Sequence, residues 1–457
     1  MTTSPDDLVP TLSRSTASTA PLARRRAPHP WTVLAVLTLV NAMAQSGGTV
    51  LAAVLPLVKA EFGYSDSQLG LLTGYGSAVS FALLALPISH WATRRGSSLV
   101  LSLSMLVCGA ANLFTAGCSA FWQLISARLF AGVGPSAAWP LGQALVSDFF
   151  PPQRRAGALS VYTAGDFLGS TLPLVAGGWI GVHYGWRCAF AAFGIGVLVA
   201  ALLQRWLVPD RTTAETAALD DGGVADVPNL HWADGLRQLW RRRAFVHIML
   251  GFSWASFAVS GLSKWMPSFY NRQFGLSPDQ AAAFFGGAYA GGALLGLLLG
   301  GLLGNWIGSG KQERLLPFCM ITYLFTFPCI LGVLFAPNLK FAFVAHVAAT
   351  MFGAMPNGPV MSMIHASVPR SMRVLAASVF LLMLTLLGDG GGPLLIGLFS
   401  DLLEPRFGHE SLKFAMLIVK LLGLLLFVHL SLAWRNARRE ATATSSQDND
   451  LIPGDAR

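Results

Sequence analysis

Residues 209–243, PDRTTAETAALDDGGVADVPNLHWADGLRQLWRRR, form the only long hydrophilic interval between the two tails of the chain. About six apolar segments lie on each side of it, each close to the roughly 20 residues that cross a bilayer. The two sides echo one another. Phe62-Gly63-Tyr64-Ser65-Asp66-Ser67-Gln68 recurs as Phe274-Gly275-Leu276-Ser277-Pro278-Asp279-Gln280, with Pro56 and Pro267 a few residues upstream. Arg155 stands five residues before Ser160-Val161-Tyr162, as Arg373 stands five before Ser378-Val379-Phe380. Pro173 is followed four residues later by Gly177, as Pro393 is by Gly397. Echoes in the same order predict a duplicated six-helix unit, the arrangement in which secondary transporters hold substrate between their halves.

Composition points the same way. Of 457 residues, 53% are hydrophobic and only 12% charged, and the mean hydropathy is +0.56. A water-facing surface carries about twice that charge density, so most of this one is expected to face lipid. The net charge of +9 is therefore read through topology. Arg24-Arg25-Arg26, Arg94-Arg95, Arg154-Arg155, Arg241-Arg242-Arg243, Lys311/Arg314, Arg370/Arg373 and Arg435/Arg438/Arg439 fall in alternate gaps, and the other gaps are poorer in cations. Cations mark the cytoplasmic side, which places both termini and the central loop there, in a cell inner membrane. Charges scattered over short loops give no nucleic-acid surface. The five cysteines lie in or beside apolar runs without metal-ligand spacing and read as packing residues.

In chain order, residues 1–30 are rich in Ser, Thr, Pro and Arg and read as a disordered cytoplasmic tail. Ala42-Met43-Ala44 resembles a signal-peptidase site, but the apolar run continues to Val58, too long for a cleaved signal. The expected segments are 31–58, 66–89, 97–117, 121–148, 156–181 and 186–208, then 244–270, 278–305, 314–336, 340–366, 373–402 and 410–434. The fold class is thus an all-α membrane protein of twelve helices in two six-helix bundles, 31–208 and 244–434. They are joined by a cytoplasmic linker at 209–243 and followed by a cytoplasmic tail at 435–457. Within the linker, His231 to Arg243 alternates aromatics and cations and predicts a short amphipathic helix at the membrane surface. Glycines at four- to five-residue spacing between Gly286 and Gly301 predict a close helix–helix seam.

Several stretches sharpen this to a resemblance to the major facilitator superfamily. Arg128-x3-Gly132-Val133-Gly134-Pro135 is similar to the family's membrane-buried arginine motif, and Ser147-Asp148-Phe149-Phe150-Pro151 with Arg154-Arg155 to the end of that segment. Gly185-Trp186-Arg187 resembles the turn into segment 6. Gly261-Leu262-Ser263-Lys264-Trp265-Met266-Pro267, Leu387-Gly388-Asp389-Gly390-Gly391-Gly392-Pro393 and Gly397-Leu398-Phe399-Ser400-Asp401 look most like the Spinster-like branch, with the anion:cation symporter branch close behind. The resemblance covers about residues 31–434. It departs from those branches where they carry an Asp-Arg pair, here Gly47-Gly48, and an acid, here Pro135. The loop after segment 2 reads Ser89-x3-Thr93-Arg94-Arg95-Gly96-Ser97 in place of Gly-x3-Asp-Arg-x-Gly-Arg, and the matching place in the second half has Gly301-x3-Asn305. Two buried acids implicated in proton coupling and the cytoplasmic latch Asp are absent at these places, so substrate and coupling do not transfer from the branch.

Ionisable side chains in mid-membrane are the functional candidates. Arg128 is expected about 10 Å below the outer end of its helix, at the depth of Gln45, with Asn41 nearer the middle. These three form the candidate substrate site, with Arg128 gripping an anionic group through paired hydrogen bonds; its competing role is a structural one, bonded to helix carbonyls. Asp166 falls near the midplane, and burial favours the neutral form of a carboxylate, which suggests a proton-coupling acid; a fixed pair with Arg128 is its alternative. Asp389 sits in a run of glycines and a proline that breaks a straight helix and is a second coupling or gating candidate. Asn357, in Pro356-Asn357-Gly358-Pro359, is a further substrate-site candidate, whereas His346 and His365 read as helix-to-helix contacts. Lys264 is expected to snorkel at a helix end. Lys420, in the middle of segment 12, has no role that the sequence supplies.

No nucleophile–base set, metal cluster or ATP-binding Gly-x4-Gly-Lys-Ser/Thr run occurs, so neither an enzyme nor a cofactor is expected, and an ion gradient is the implied energy source. The function expected is proton-coupled transport of a small organic anion by alternating access, by a monomer whose partners are substrate, protons and lipid. The alternatives are transport of a lysolipid or similar amphiphile, efflux of apolar drugs, and a sensor that retains the fold without transport.

Overall fold

A computed structural model describes residues 28–210, 232–308, 314–369 and 372–436. The expectations for the N-terminal tail, most of the linker and the C-terminal tail beyond 436 lie outside them. The first half contains α1 (Pro30–Phe62), α2 (Asp66–Thr73), α3 (Tyr75–Arg95), α4 (Ser97–Ala116), α5 (Phe121–Ala131), α6 (Val133–Phe149), α7 (Pro152–Tyr184) and α8 (Trp186–Leu207). The second contains α9 (Trp232–Arg241), α10 (Arg243–Phe274), α11 (Pro278–Gly308), α12 (Leu315–Leu334), α13 (Leu339–Ala354), α14 (Asn357–Ala366), α15 (Arg373–Met383), a π-helical turn (Leu384–Gly390), α16 (Gly391–Phe407), α17 (Ser411–Leu422) and α18 (425–436). Among the described residues, nine helical stretches are long and apolar enough to cross a membrane. The expected segments 121–148 and 156–181 are helical but are not among the nine. They carry Arg128 and Asp166, and several prolines and glycines, which dilute their hydropathy.

Outward-facing side chains match lipid as the surrounding solvent. Leu83, Trp206, Leu302 and Leu402 are 67%, 80%, 71% and 72% exposed, and a monomer in water does not carry apolar surface of that extent. Inside, one buried cluster is drawn wholly from residues 33–208, another wholly from 239–433, and a third joins the two sets through side chains such as Leu55, Leu69, Trp265 and Phe269.

The repeated motif has the same local geometry in both copies. Gly63 and Gly275 each end a long helix with φ of 66°, donating their N–H groups back to Lys59 and Asn271. A side chain is strained in that left-handed region, which is why glycine ends both helices. Ser65 and Gln68 then cap α2 reciprocally, at 3.2 and 3.0 Å. The turns after α1, α4, α7, α10, α12 and α16 share one end of the molecule, called here the far end; the opposite end, nearest the 211–231 interval, is the linker end.

The glycine seam expected on α11 packs against α13: a methyl added at Gly296 would meet the Met351 carbonyl, and one at Gly300 the Met355 carbonyl. The amphipathic stretch before α10 is helical as expected, with Leu239 buried and Arg237, Trp240 and Arg241 exposed; His231 lies outside the described residues. Two contacts between the halves depend on missing side chains. A Cβ at Gly70 would stand 2.6 Å from the Pro393 carbonyl, and a Cβ at Gly178 of α7 would stand 3.0 Å from Ala282 of α11. We therefore expect Gly70→Val to overpack the α2–α16 seam by about 1–3 kcal/mol and to lower the melting temperature of the purified protein. An unchanged melting curve would show that this seam yields without cost.

Candidate functional site

A cavity of about 530 Å³ lies between the halves, within the usual range for small-molecule sites. Its first-half wall comes from Trp139 of α6 and from Thr163, Asp166, Phe167 and Ser170, one face of α7 at helical spacing. The second-half wall includes Leu262 and Met266 of α10, Tyr289 of α11, Thr326 and Ile330 of α12, His346 of α13 and Lys420 of α17. Most of this surface is apolar, with ionisable groups at a few fixed points.

Glycines on either side of Asp166 bring it into place. A Cβ at Gly165 would lie 2.7 Å from the Thr38 carbonyl, and Gly169 lies against the backbone of Ala42, so α7 meets α1 almost backbone to backbone. Asp166 thereby reaches Asn41, whose Nδ2 donates to its Oδ1 at 2.9 Å and to the Tyr162 carbonyl at 3.2 Å. The Gln45 side chain is close enough to act on the same carboxyl. The structure thus groups three sequence candidates, Asn41, Gln45 and Asp166, but only Asp166 of the three lines the cavity. Asn357 lines the cavity from the second half, at the start of α14.

Sequence reading left Lys420 without a role. Its side chain is 7% exposed and lines the cavity, with Nζ donating to Thr326 Oγ1 at 2.8 Å. Among the described residues it is the only lysine or arginine on the cavity wall. A cation in the middle of an apolar segment was the available signal; Thr326, 94 positions away, was not foreseeable.

Besides Asn41 and Gln45, two further candidates lie off the cavity wall. Arg128, 3% exposed, donates from Nη1 to the Gly47 carbonyl at 3.2 Å and to Asn112 Oδ1 at 3.4 Å, and its guanidinium carbon lies 5.9 Å from the centre of the Phe190 ring. Its stem passes Gly76, where a Cβ would come within 2.8 Å. This geometry matches the structural alternative, an arginine satisfied by helix polar groups, and it separates Arg128 from Asp166 and Gln45. Asp389 occupies the π-helical turn formed by its glycine-rich run, and accepts from Ser256 Oγ at 3.3 Å. Lys264 turns inward rather than snorkelling outward. It lies where its charge and those of Asp389 and Arg128 act on one another, and its Nζ is 3.7 Å from where a Cβ on Gly48 would be. The missing side chain at Gly47 leaves room for Asn112, which Arg128 bonds, and Gly48 faces Lys264. The side chain of His365 lies outside the described residues.

At the far end the halves are tied by a carboxylate clasp. Asp66 accepts from Lys59 Nζ at 2.5 Å, from Arg272 Nη1 and Nη2 at 2.7 Å each, and from Ser400 Oγ at 2.6 Å. Asp401 returns the contact, taking the Asp66 and Ser67 backbone N–H groups at 2.8 and 2.7 Å and the Ser67 hydroxyl. It thereby caps the N-terminus of α2, where the helix dipole favours an anion. A first-half clip accompanies it: Glu61 accepts from Trp186 Nε1 at 2.5 Å and from Arg187 at 2.8 Å, which gives the Gly185-Trp186-Arg187 turn its purpose.

Two sets of helices enclosing a central cavity, clasped at one end, define a membrane transporter. The Major Facilitator Superfamily profile matches residues 34–393, and the chain belongs to that superfamily. It is 25% identical over 389 residues to an MFS-type efflux pump of Mycolicibacterium smegmatis, covering 85% of this chain and 89% of the pump. It is 28% identical over 435 residues to protein spinster homolog 1 of Homo sapiens, covering 86% and 78%. Among solved structures, a bacterial homolog of the human lysosomal transporter Spinster, inward-facing and unoccupied, superposes with a TM-score of 0.77 at 23% identity. That match spans 90% of this chain and 98% of the other.

Arg272→Ala removes one partner from an Asp66 carboxylate that is 3% exposed. Breaking a buried pair in this way costs about 3–5 kcal/mol, reduced here because Arg272 remains 23% exposed and Lys59 still reaches Asp66. The far-end-closed state should lose population. In a Cys188→Ser background, Ser268→Cys, 2% exposed and lining a small cleft beside Arg272, should then react at least several-fold faster with a bulky maleimide. Equal rates with and without Arg272→Ala would deny the clasp a role in closure.

Proposed function

We propose that this chain is a secondary active transporter of an anionic amphiphile, with the anionic group at Lys420 and a proton exchanged at Asp166. Residues 31–208 rock against 244–434 in this reading, and the arginine-rich linker end faces the cytoplasm of a cell whose inner membrane holds the protein. The observation that carries it is Lys420: a nearly buried ammonium with one neutral partner, Thr326, on a wall otherwise dominated by Leu262, Met266, Ile330 and Phe167. An ammonium withdrawn from water is costly unless a counter-charge arrives, and the apolar lining suits an alkyl or ring portion. Asp166 faces the same cavity from the other half, held by the neutral Asn41 amide rather than by a cation, so its charge state is free to follow proton supply.

The relatives' printed names, a lysosomal transporter homolog and an efflux pump, fit transport without naming a cargo. A small hydrophilic organic anion is the second reading, supported by the polar groups of Thr326, Tyr289 and Asn357 on the wall. Efflux of uncharged drugs would leave Lys420 without a counter-charge.

Thermal stability of the protein in lipid nanodiscs separates these readings. Lysophosphatidylglycerol at about 100 times its dissociation constant should add about 2.7 kcal/mol, seen as a rise in melting temperature, and Lys420→Ala should abolish the rise. A shift with succinate alone would return the cargo to small organic anions. A shift with monoacylglycerol that survives Lys420→Ala would favour uncharged cargo. In proteoliposomes, Asp166→Asn should remove the response of uptake to an imposed pH gradient while retaining exchange of internal for external substrate. A gradient response equal to that of the native protein would place the coupling group elsewhere.

A further inference from the structure

His346 is 3% exposed, lies on the cavity wall, and has one edge already committed. Its Nδ1 is 2.6 Å from the hydroxyl of Tyr270, a side chain on α10 with no solvent exposure. The phenol ring cannot swing away. Its centre lies 4.8 Å from that of Phe284, 5.5 Å from Phe269 and 6.0 Å from Phe274. Among the described residues, the Tyr270 hydroxyl has no other hydrogen-bond partner, and His346 Nε2 has none.

Those facts fix the direction of the bond. A tyrosine O–H has one proton to donate, and a buried donor left unmade is penalised more than a modest bond is rewarded. If His346 Nδ1 carried the proton, the phenol proton would point into an apolar aromatic cluster with nothing to accept it. The phenol therefore donates, Nδ1 accepts, and the neutral imidazole carries its proton on Nε2. Phe285 on the other side of the imidazole, with ring centres 5.3 Å apart, helps to hold the ring in place.

We infer that His346 is a substrate-contacting residue presented to the cavity as an Nε2–H donor, and that Tyr270 is the positioning residue that holds it in that tautomer. This rests on the cavity being the substrate site. It adds a neutral donor to the second-half wall that carries the Lys420 ammonium, so a ligand group rich in acceptor oxygens meets two donors there. Among the described residues, the second-half wall carries no carboxylate to pair with a quaternary ammonium. The selectivity is thus for an acceptor-bearing group facing the second half.

The test begins with the native protein. In nanodiscs containing ¹⁵N-labelled histidine, the His346 resonances, assigned by their loss in His346→Gln, should report an unprotonated Nδ1 and a protonated Nε2. A protonated Nδ1 in the native protein overturns the inference without any variant having to fold. Equilibrium binding of dodecyl phosphate supplies the second readout. Tyr270→Phe and His346→Leu should each weaken it about tenfold, the scale of one hydrogen bond to a charged group, while His346→Gln, which retains a side-chain N–H, should recover most of the loss. Binding unchanged in Tyr270→Phe and His346→Leu but lost in Lys420→Ala overturns this inference and leaves the proposed site standing. Binding unchanged in all three overturns both.

Discussion

The Asp66 carboxylate is the point on which the arrangement of the two halves turns. It is nearly buried, yet it receives Lys59 from its own half and Arg272 and Ser400 from the other. A carboxylate withdrawn from water persists only where donors replace its lost hydration, so the halves are held together by a need that neither meets alone. Asp401 reverses the arrangement, an acid of the second half completing a helix N-terminus of the first. These bonds require backbones to come within a side chain's width. Gly70 against Pro393, and Gly397 against Asp66 itself, supply that approach. The electrostatics of the clasp and the glycines of the seam are one device, since a side chain at either glycine would hold the ion pair apart.

Closure at that end gives the interior its character. The cavity takes Asp166 from the first half and Lys420 from the second, and neither is neutralised by an opposite charge within its own half. Asp166 is held by the neutral Asn41 amide with Gln45 nearby, Lys420 by one hydroxyl. Neutral partners stabilise an ion far less than a counter-ion does in a low-dielectric site, so both groups remain responsive to what enters. Arg128 shows the contrasting case. It is more deeply placed, but it is tied to a carbonyl and an amide oxygen and covered by Phe190, so its charge belongs to the packing of α1, α4 and α5.

The sequence conveyed architecture well and side-chain direction poorly, and the reason is physical. Duplication was legible because Gly63 and Gly275 answer the same backbone requirement, a left-handed residue that ends a helix before a capped turn. The irregularity near Asp389 was legible because successive glycines weaken a regular helix, but the helix does not break there: it continues through a π-helical turn, with Gly388 and Gly392 lying against Ser256 and Phe257 of α10. Depth along a helix follows from counting at 1.5 Å per residue, which put Asn41 and Asp166 both near the middle, yet counting grouped Asn41 and Gln45 with Arg128 rather than with Asp166. Rotation about the helix axis does not follow from counting. Arg128 and Gln45 share a depth but face different neighbours, and Lys264 points inward toward Gly48 of another helix. Lys420 was conspicuous but unassignable, since the wall it belongs to is assembled from α10, α11, α12, α13 and α17.

The final two turns of α10 bring the cavity and the clasp into one rigid piece. Pro267 lies within the helix, and the residues around it engage different partners in turn: Trp265 Nε1 donates to the Pro393 carbonyl at 3.0 Å, Tyr270 to His346, and Arg272 to Asp66. Arg272 also lies over the Trp265 ring at 5.9 Å, so the first and last of these contacts touch. A displacement of His346 within the cavity is felt at Tyr270, and the phenol, packed among Phe269, Phe274 and Phe284, has no free volume in which to absorb it. Close-packed interiors transmit such strain rather than dissipate it. Tyr270 and Arg272 stand two residues apart on α10, so the contact to the cavity wall and the contact to the clasp fall within one helical turn.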